Sequence, residues 1–287
     1  MIKRLSYLLF KILMFFDSIF KLLTKRSFMI WFKDFFHEIS YKYVNIFEKK
    51  VKFFVPNHFS EWRVDTFFTK EPDTLEWINN FEKKENLIFW DIGANIGLYS
   101  IYNALKNKNS TTISFEPSSS NFRILSRNIS INNLENNIKI FPIALTNKVN
   151  TFLKMKETDF VEGGSLNSFG EKFDFEGKEF KSKMRYQMYG TNIDYLIDSK
   201  ILDIPDYIKI DVDGIEHLIL AGANKHLGNQ KIKSLLVEIN ENFIEQKEGV
   251  LKIMKDNKFK LIKKNGNEEH LNIGSKWSGT FNYHFVR

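Results

Sequence analysis

One stretch, residues 87–97, constrains the fold of this 287-residue chain more than any other. It begins with the apolar run Leu-Ile-Phe-Trp, continues with Asp91, and then places Gly93 and Gly97 in a tight run of mostly small residues. Residues 98–105 follow with the pattern of a helix. A strand, a glycine-containing turn and a helix, in that order, predict the opening unit of a doubly wound α/β domain.

A second acidic residue follows at the distance along the chain that such domains use. Residues 111–115 have the composition of a strand, and Glu116 stands at its carboxyl end, directly before Pro117. An acidic side chain at the tip of the second parallel strand is placed to accept hydrogen bonds from the hydroxyls of a ribose. The two elements together therefore predict a cofactor that carries a nucleoside.

The first turn also indicates which cofactor this is. A nicotinamide dinucleotide requires Gly-x-Gly-x-x-Gly to seat its pyrophosphate, and the sequence from Gly93 to Gly97 does not have that spacing. Asp91, just before the turn, would repel a pyrophosphate but can pair with a cationic ligand. S-adenosylmethionine fits better, because it carries a sulfonium, an amino group and a ribose but no phosphate. A glycine-rich turn that binds no ligand is the alternative.

Residues 1–26 have the pattern of a basic amphipathic helix. Basic side chains fall on one side of the helical wheel and large apolar side chains on the other, as in helices that lie in a membrane interface. Lys11, Asp17 and Lys21 interrupt every apolar run long enough to span a bilayer, and no cleavage site of a secretory signal follows. We expect a cytoplasmic protein that lies peripherally on an anionic membrane surface. Packing of this helix on its own domain or on a second subunit is the alternative.

The remaining organisation follows from length and composition. Residues 28–50 predict a second helix whose aromatic stripe we assign to the core, so residues 1–50 are predicted as a helical N-terminal extension and residues 51–287 as the α/β domain. Residues 156–190 are polar and longer than a connection needs, which predicts a flap that faces the substrate. The net charge of +7 is spread along the chain, and without cysteine no disulfide or thiolate metal site is available.

Residues 87–287 resemble the FkbM family of S-adenosylmethionine-dependent methyltransferases. The matching stretches are FWDIGANIGLYS (89–100), FEPSSSNF (115–122), IALTN (143–147), TNIDYLI (191–197), YIKIDVDGIEHLILAGA (207–223) and LLVEIN (235–240). The DVDG-x-E element is specific, because it distinguishes this family from other class I methyltransferases. Asp213 departs from the family pattern, which more often has glutamate there. Residues 1–50 lie outside the resemblance.

The resemblance implies a Rossmann-like sheet of order 3-2-1-4-5-7-6 with the last strand antiparallel. It implies O-methylation as the reaction and sugars of polysaccharides, glycolipids or glycosylated metabolites as the acceptors. The residues that it places at the cofactor are Asp91, Gly93, Ala94, Asn95 and Gly97 at the methionine end, Glu116 at the ribose, and Pro117, Ser118 and Ala144 near the adenine.

Methyl transfer to a sugar hydroxyl calls for a base within hydrogen-bond reach, because a protonated hydroxyl is a poor nucleophile. The candidates are Asp211 and then Glu238, which are carboxylates at the ends of two further strands. For Asp211 the alternative is cofactor binding or capping of the following helix. We predict no metal site, although Asp211 with Asp213 or Glu238 could hold a divalent cation.

Two other classes of function are weighed against this one. A nucleic-acid methyltransferase is disfavoured, because the chain has no Asn/Asp-Pro-Pro-Tyr/Phe tetrad after the fourth strand and no basic and aromatic run that would bind nucleic acid. We therefore expect no nucleic-acid partner. A membrane-surface adaptor that keeps the fold without catalysis is disfavoured by the intact glycine turn and by Glu116.

Overall fold

The computed structural model describes residues 1–266, 268–272 and 274–287. Its helices are α1 (Ile2–Thr24), α2 (Met29–Ile39), α3 (His58–Asp65), α4 (Phe67–Lys70), α5 (Pro72–Asn79), α6 (Leu98–Lys106), α7 (Ser119–Ser130), α8 (Ile193–Asp198), α9 (Glu216–Ala221), α10 (Ile244–Asp256) and α11 (Glu268–Leu271). Its strands are β1 (Tyr41–Ile46), β2 (Lys49–Phe54), β3 (Leu87–Ile92), β4 (Ser110–Phe115), β5 (Ile138–Phe141), β6 (Ala144–Leu145), β7 (Thr151–Glu157), β8 (Ser168–Phe169), β9 (Met184–Thr191), β10 (Tyr207–Ile210), β11 (Ser234–Asn240), β12 (Lys260–Asn265) and β13 (Thr280–Val286).

A seven-stranded sheet with the order β5-β4-β3-β10-β11-β13-β12 forms the centre of the domain. Counted along the chain within this sheet, the order is 3-2-1-4-5-7-6, and β13 runs antiparallel to both of its neighbours. The predicted fold class and strand order are confirmed. Ile92 pairs with Phe115 on one side and with Ile210 on the other, so the turns that follow these three strands meet at one edge of the sheet.

The sheet separates two hydrophobic cores. Trp90 and Ile92 of β3 belong to one core, and Leu87 and Phe89 belong to the other, as the alternation of side chains along a strand requires. The parallel strands are mostly apolar because both of their faces are covered. Lys209 in β10 interrupts that pattern, since it is charged and yet only 1% exposed.

A smaller sheet of order β6-β9-β7-β8 contains both ends of the long insertion. β7 pairs with β9 in antiparallel register, from Thr151 opposite Gly190 to Glu157 opposite Met184. The segment between these strands packs on the main domain, because Phe175 is buried and its carbonyl oxygen accepts a hydrogen bond from Asn240 Nδ2 (3.0 Å). The insertion is therefore anchored to the domain at more than its two ends.

The N-terminal region differs from its prediction. The helix predicted over residues 28–50 is wrong beyond Ile39, where α2 ends and the antiparallel hairpin β1-β2 begins shortly afterwards. Alternating aromatic and β-branched residues favour a strand over a helix, and Phe47 takes a positive φ of 47° in the turn of the hairpin. The domain boundary predicted at residue 50 falls within β2.

α1 forms as predicted, but the assignment of the α2 aromatic side chains to the core is wrong. None of the residues of α2 is buried by the described part of the chain, and Asp17 is the one buried residue of α1. Most of the large apolar side chains of both helices are exposed to solvent. Within the described ranges, no helix combines the length and the apolar character needed to cross a membrane.

Candidate active site

A cavity of about 450 Å³ opens at the carboxyl edge of the parallel strands, which is the edge where doubly wound sheets bind their ligands. Its volume is in the range of cofactor and small-molecule pockets. The turns after β3, β4 and β10 contribute Gly93, Asn95, Glu116, Pro117, Asp211 and Asp213. An apolar wall is formed by Ile143, Ala144, Leu145, Met155 and Phe169.

The turn after β3 has a strict requirement for glycine at position 93. Gly93 has a φ of +87°, and a Cβ atom there would lie 1.9 Å from the carbonyl oxygen of Asp211. Gly97 has a φ of +89°, but its added Cβ would meet Leu125 Cδ1 at 2.6 Å. Gly93 therefore permits the close approach of two turns at the cavity, whereas Gly97 permits the packing of α6 against α7.

Glu116 faces the cavity and at the same time fixes the backbone around it. Its Oε2 accepts a hydrogen bond from the backbone N–H of Asn95 (2.7 Å), and its Oε1 accepts one from the backbone N–H of Ser118 (2.8 Å). Burial raises the pKa of Glu116 to about 8, against the opposing effect of these two hydrogen bonds. A carboxylate oxygen can accept more than one hydrogen bond, so Glu116 retains capacity for the hydroxyls of a ligand.

Two further polar atoms at the cavity lack partners. Asn95 Oδ1 and Ser168 Oγ are buried and make no hydrogen bond within the described part of the chain, although both residues line the cavity. Buried polar atoms are almost always paired in native proteins, so these two mark positions that a polar ligand would complete. Together with Glu116 they fit a nucleoside-bearing cofactor such as S-adenosylmethionine.

Among the described residues, four that were predicted to bind the cofactor do not line the cavity: Asp91, Ala94, Gly97 and Ser118. Asp91 is fully buried, where its Oδ2 accepts a hydrogen bond from Ser100 Oγ (2.5 Å) and its Oδ1 has no partner in the described structure. The N–H of Ala94 donates to the carbonyl of Phe115 (2.9 Å), and Ser118 is the N-cap of α7. These residues hold the backbone that shapes the cavity.

Asp211, the predicted base, faces the cavity beside a buried lysine. Its Oδ2 accepts a hydrogen bond from Lys209 Nζ (2.7 Å). Burial acts to lower the pKa of Lys209, but the neighbouring carboxylates, Asp211 foremost, outweigh burial and raise that pKa. Lys209 therefore keeps its charge and holds the Asp211 carboxylate in place.

Lys209 is not among the predicted residues, although the sequence contains a signal for it. A lysine inside an apolar strand, two residues before an acidic residue, projects from the same face of the sheet as that residue. Lys209 also lies opposite Asp91 in the pairing of β10 with β3. The spacing in Tyr-Ile-Lys-Ile-Asp therefore predicts a buried ion pair.

Glu238, the second predicted catalytic residue, lines the same cavity as Asp211. Burial, together with the negative charges of Asp211 and Glu71, raises the pKa of Glu238 well above its ordinary value. This favours the protonated form, which can donate a hydrogen bond but cannot take up a proton. Asp211 is therefore the better placed proton acceptor of the two.

Asp213 connects the site to the long insertion. It has a φ of +66°, and its Oδ2 accepts hydrogen bonds from the backbone N–H groups of Leu166 (2.7 Å) and Asn167 (3.1 Å). The carbonyl oxygen of Gly164 accepts a further hydrogen bond from Asn95 Nδ2 (2.8 Å). Residues 164–169 consequently form a wall of the cavity, where the predicted flap lies.

The sequence leaves open a cation site formed by Asp211 with Asp213 or Glu238. The described residues contain no group of three or more histidine, aspartate or glutamate side chains that could hold a metal ion. The hydrogen bonds of Asp213 instead go to the backbone of the insertion. Asp211 therefore faces the cavity, whereas Asp213 binds the backbone of the insertion.

The rest of the cavity is lined by side chains from both termini of the domain, which we name the distal wall: Trp62, Arg63, Thr66, Thr69, Lys70, His270 and Trp277. The sequence predicts that residues 61–85 cover the sheet edge near the cofactor turn, but it does not predict any of these seven as a site residue, because they come from distant segments. Indole rings provide flat apolar surface with a polar N–H, and threonine provides hydroxyls. The distal wall therefore offers groups suited to a hydroxyl-rich ligand.

A sequence model of the methyltransferase FkbM domain family matches residues 91–261. The matched range includes the turn after β3, Glu116, Asp211 and Glu238, and it covers more than half of the chain. None of the distal wall falls within it. No curated protein of established function matches the sequence.

Solved structures match this chain at low sequence identity and low TM-score. The precorrin-6y C5,15-methyltransferase of Geobacter metallireducens GS-15 is 12% identical, with a TM-score of 0.42 over 76% of this chain and 86% of that one. The TrmK protein of M. capricolum, solved with S-adenosyl-homocysteine, is 12% identical, with a TM-score of 0.42 over 74% of this chain and 66% of that one. Similarities at this level carry no argument about the substrate.

Proposed function

This chain belongs to the FkbM methyltransferase family, and from that premise we propose that it methylates a sugar hydroxyl of a glycan, a glycolipid or a glycosylated metabolite. The cofactor is S-adenosylmethionine, which supplies an electrophilic methyl group on a sulfonium when it is bound. The observation that carries the proposal is the one cavity into which Glu116 and Asp211 both present carboxylates. The first suits the ribose of the cofactor, and the second suits the hydroxyl of an acceptor.

We assign the nucleoside and amino-acid parts of the cofactor to what we name the cofactor end of the cavity: Gly93, Asn95, Glu116, Pro117 and Ala144. Glu116 would accept hydrogen bonds from the ribose, because its carboxylate is already held in place by two backbone N–H groups. Gly93 would allow the ligand to approach the backbone closely. The predicted cofactor residues that do not line the cavity would contribute through the turn and the helix that they hold.

We assign proton transfer to Asp211. Its carboxylate would take up the hydroxyl proton as the acceptor oxygen bonds to the methyl carbon, so that the products are a methyl ether, S-adenosylhomocysteine and a protonated carboxyl group. Lys209 would act as a positioning residue, since it binds the Asp211 carboxylate and is itself buried. Alignment of the acceptor by the surrounding wall would supply a further large part of the acceleration.

The polar groups of the cavity suit a hydroxyl-bearing acceptor. The carboxyl groups of Glu116, Asp211, Asp213 and Glu238 line it, and a hydroxyl can form a hydrogen bond with a carboxyl group whether that group is ionised or protonated. The indole rings and hydroxyls of the distal wall suit the apolar face and the hydroxyls of a sugar ring. These features support a hydroxyl-rich acceptor such as a glycan.

The proposal is tested by incubating the full chain with S-adenosylmethionine labelled in its methyl group. The acceptors offered are purified polysaccharides, nucleotide-activated hexoses and, in competition, bulk transfer RNA. We expect label in the sugar fraction, and we expect it to survive mild alkali, because a methyl ether resists hydrolysis whereas a methyl ester does not.

The matched control is the Asp211→Asn variant, which should bind S-adenosylmethionine but leave the sugar fraction unlabelled. Label that nuclease releases from the RNA would contradict the sugar assignment. A native chain that does not bind S-adenosylmethionine would support the adaptor alternative.

A further inference from the structure

The two N-terminal helices, which together we name the helical pair (residues 2–39), present an unusually apolar surface to solvent. The large apolar side chains exposed on α1 are Ile2, Leu5, Tyr7, Leu8, Leu9, Phe10, Ile12, Met14, Phe15, Phe16, Ile19, Phe20, Leu22 and Leu23, and those on α2 are Ile30, Trp31, Phe35, Phe36 and Ile39. Trp31 and Ile39 are 61% and 75% exposed. Soluble monomers rarely expose a contiguous apolar patch larger than a few hundred Å², so this surface calls for a partner.

Asp17 fixes the position of α2 relative to α1 within the helical pair. One Asp17 oxygen accepts hydrogen bonds from the backbone N–H groups of Phe28 (2.8 Å) and Met29 (3.1 Å), and both oxygens accept from Ser27 Oγ. A carboxylate at the N-terminus of α2 satisfies donors that the helix cannot pair itself and complements the helix dipole. Asp17 of α1 thus fixes the start of α2 relative to α1.

The charge of the helical pair indicates what that partner is. Residues 2–39 contain seven lysine and arginine residues and three acidic residues, Asp17, Asp34 and Glu38. Asp17 is buried at the start of α2, so the exposed charges of α1 are all positive and the helical pair as a whole keeps an excess of positive charge. Two such surfaces on two copies of the chain would repel each other, whereas a bilayer with anionic headgroups attracts the cations and accepts the apolar side chains.

We propose that the helical pair binds an anionic membrane as a two-helix unit, with α2 inserting its aromatic side chains alongside α1. This differs from the sequence prediction in the role of α2, whose aromatic residues we expected in the core, whereas Trp31, Phe35 and Phe36 are exposed. The exposed aromatic rings include a tryptophan, which favours the level of the headgroups.

The helical pair joins the domain next to the active site. His37 Nε2 of α2 lies 2.9 Å from a guanidinium nitrogen of Arg123, and Arg123 forms an ion pair with Glu162 (2.9 Å). Glu162 precedes Gly163 and Gly164, and the latter lines the cavity. Membrane binding through the helical pair would therefore place the flap and the cavity at the bilayer surface.

The test is flotation of the full chain with two kinds of vesicle, one of phosphatidylcholine alone and one with phosphatidylglycerol added. We expect the native chain to float with the anionic vesicles and much less with the neutral ones. Two double variants remove apolar side chains, one on α1 (Leu8→Glu with Phe15→Glu) and one on α2 (Trp31→Glu with Phe35→Glu). Each should lower the fraction of bound protein about tenfold or more, because the burial of one large apolar side chain changes a binding constant by about that factor.

The matched control is Phe152→Glu with Ile262→Glu, which changes two exposed apolar side chains far from the helical pair in sequence and should leave flotation unchanged. Lys3→Gln with Lys11→Gln alters only exposed charges and should weaken binding about fivefold per lysine. Because none of these lysines is buried, the variant tests electrostatic attraction without disturbing packing.

Three results would overturn the proposal. Native chain that floats with neither vesicle, or equally with both, contradicts an anionic membrane partner. An α2 variant that binds as well as native contradicts the two-helix unit. Finally, if sedimentation shows a dimer that the α1 and α2 variants dissociate, or if these variants lower the unfolding temperature while the control does not, the surface packs on protein instead.

Discussion

The two ends of the cavity are built in different ways. The cofactor end consists of a glycine turn, one carboxyl group and small residues, which lie in three short sequence motifs and mostly follow the ends of parallel strands. The distal wall consists of side chains from α3, α4 and the C-terminal segment, which lie far apart in sequence. Asp211 stands where the two meet, because its carbonyl oxygen touches the turn at Gly93 and its side chain faces the cavity.

We expect the cofactor end to determine cofactor binding, and Asp211 with the distal wall to determine turnover of the acceptor. A site made of backbone and small residues tolerates little variation, which suits a cofactor that is always the same. A wall made of side chains from independent segments can change without disturbing the sheet, which suits the binding of a specific acceptor. Variants at the cofactor end should therefore change cofactor affinity, and variants at Asp211 should change the rate.

Gly93→Ala should have the largest effect, because Gly93 lies at the cofactor end and also packs against the backbone of Asp211. The positive φ costs an alanine about 1–3 kcal/mol, and overlap of its Cβ with the Asp211 carbonyl should cost a similar amount. We expect cofactor affinity and turnover to fall together, measured by calorimetry and by methyl transfer. Gly274→Ala, where a Cβ would make an ordinary contact at 3.5 Å, is the control. An active Gly93→Ala variant would contradict the close packing of the two turns.

Asp211→Asn should act on turnover alone. Loss of a general base lowers the rate by about 100- to 10,000-fold, while the Kd for S-adenosylhomocysteine should stay close to the native value. Asp203→Asn, at an exposed loop position, controls for the change of charge. If the Kd rises as much as the rate falls, Asp211 is a scaffold for the cofactor and not the base.

Glu116→Ala should act on cofactor binding. Loss of the buried hydrogen bonds between Glu116 and the cofactor should weaken binding by about 1–3 kcal/mol, with the rate at saturating cofactor much less affected. The comparison with Asp211→Asn is the informative one, since the two variants should give opposite patterns. Unchanged affinity in Glu116→Ala would remove the assignment of Glu116 to the ribose.

The raised pKa of Glu116 gives a prediction about pH. Its folded-state pKa of about 8 lies above the ordinary value of 4.5, so this group makes the folded state less stable as pH rises between those two values. Glu116→Gln should remove that part of the decrease in unfolding free energy, measured by urea denaturation at several pH values. A decrease that is identical in native and variant would show that Glu116 is ionised throughout.

Asp213→Asn should have the smallest effect. The amide keeps an acceptor oxygen for the N–H groups of Leu166 and Asn167 but loses the charge, which costs about 1 kcal/mol. We expect faster proteolytic cleavage within residues 158–170 and a modest loss of turnover. Cleavage at the native rate would show that Asp213 does not hold the flap.

The two ends also differ in how far the sequence predicts them. Strand order and the positions of Glu116 and Asp211 follow from motifs, because each of these residues terminates an apolar strand that must lie in the sheet. The distal wall does not follow, since the packing of Trp62 and Trp277 around one cavity depends on tertiary contacts that leave no local pattern. Lys209 is partly predictable. Its position in the strand predicts an ion pair with Asp211, but only if the strand is taken to be buried.

The N-terminal region shows a different limit. The aromatic residues of α2 have helical spacing, which predicts both a helix and the burial of its aromatic face. The structure contains the helix, but none of its residues is buried. Helical spacing shows that one face is apolar, and it does not show whether the same domain or another surface covers that face. The helix predicted over residues 40–50 is wrong, because the sequence changes from a helical to an alternating pattern between Ile39 and Tyr41, where β1 begins.

A crystal structure of the full chain with S-adenosylhomocysteine is the most direct test of the central claim, which is that one cavity binds the cofactor at Glu116 and the acceptor at Asp211. The account predicts that the ribose hydroxyls lie within hydrogen-bond distance of the Glu116 carboxylate and that the sulfur faces Asp211. A cofactor bound elsewhere, or with its ribose away from Glu116, would contradict it.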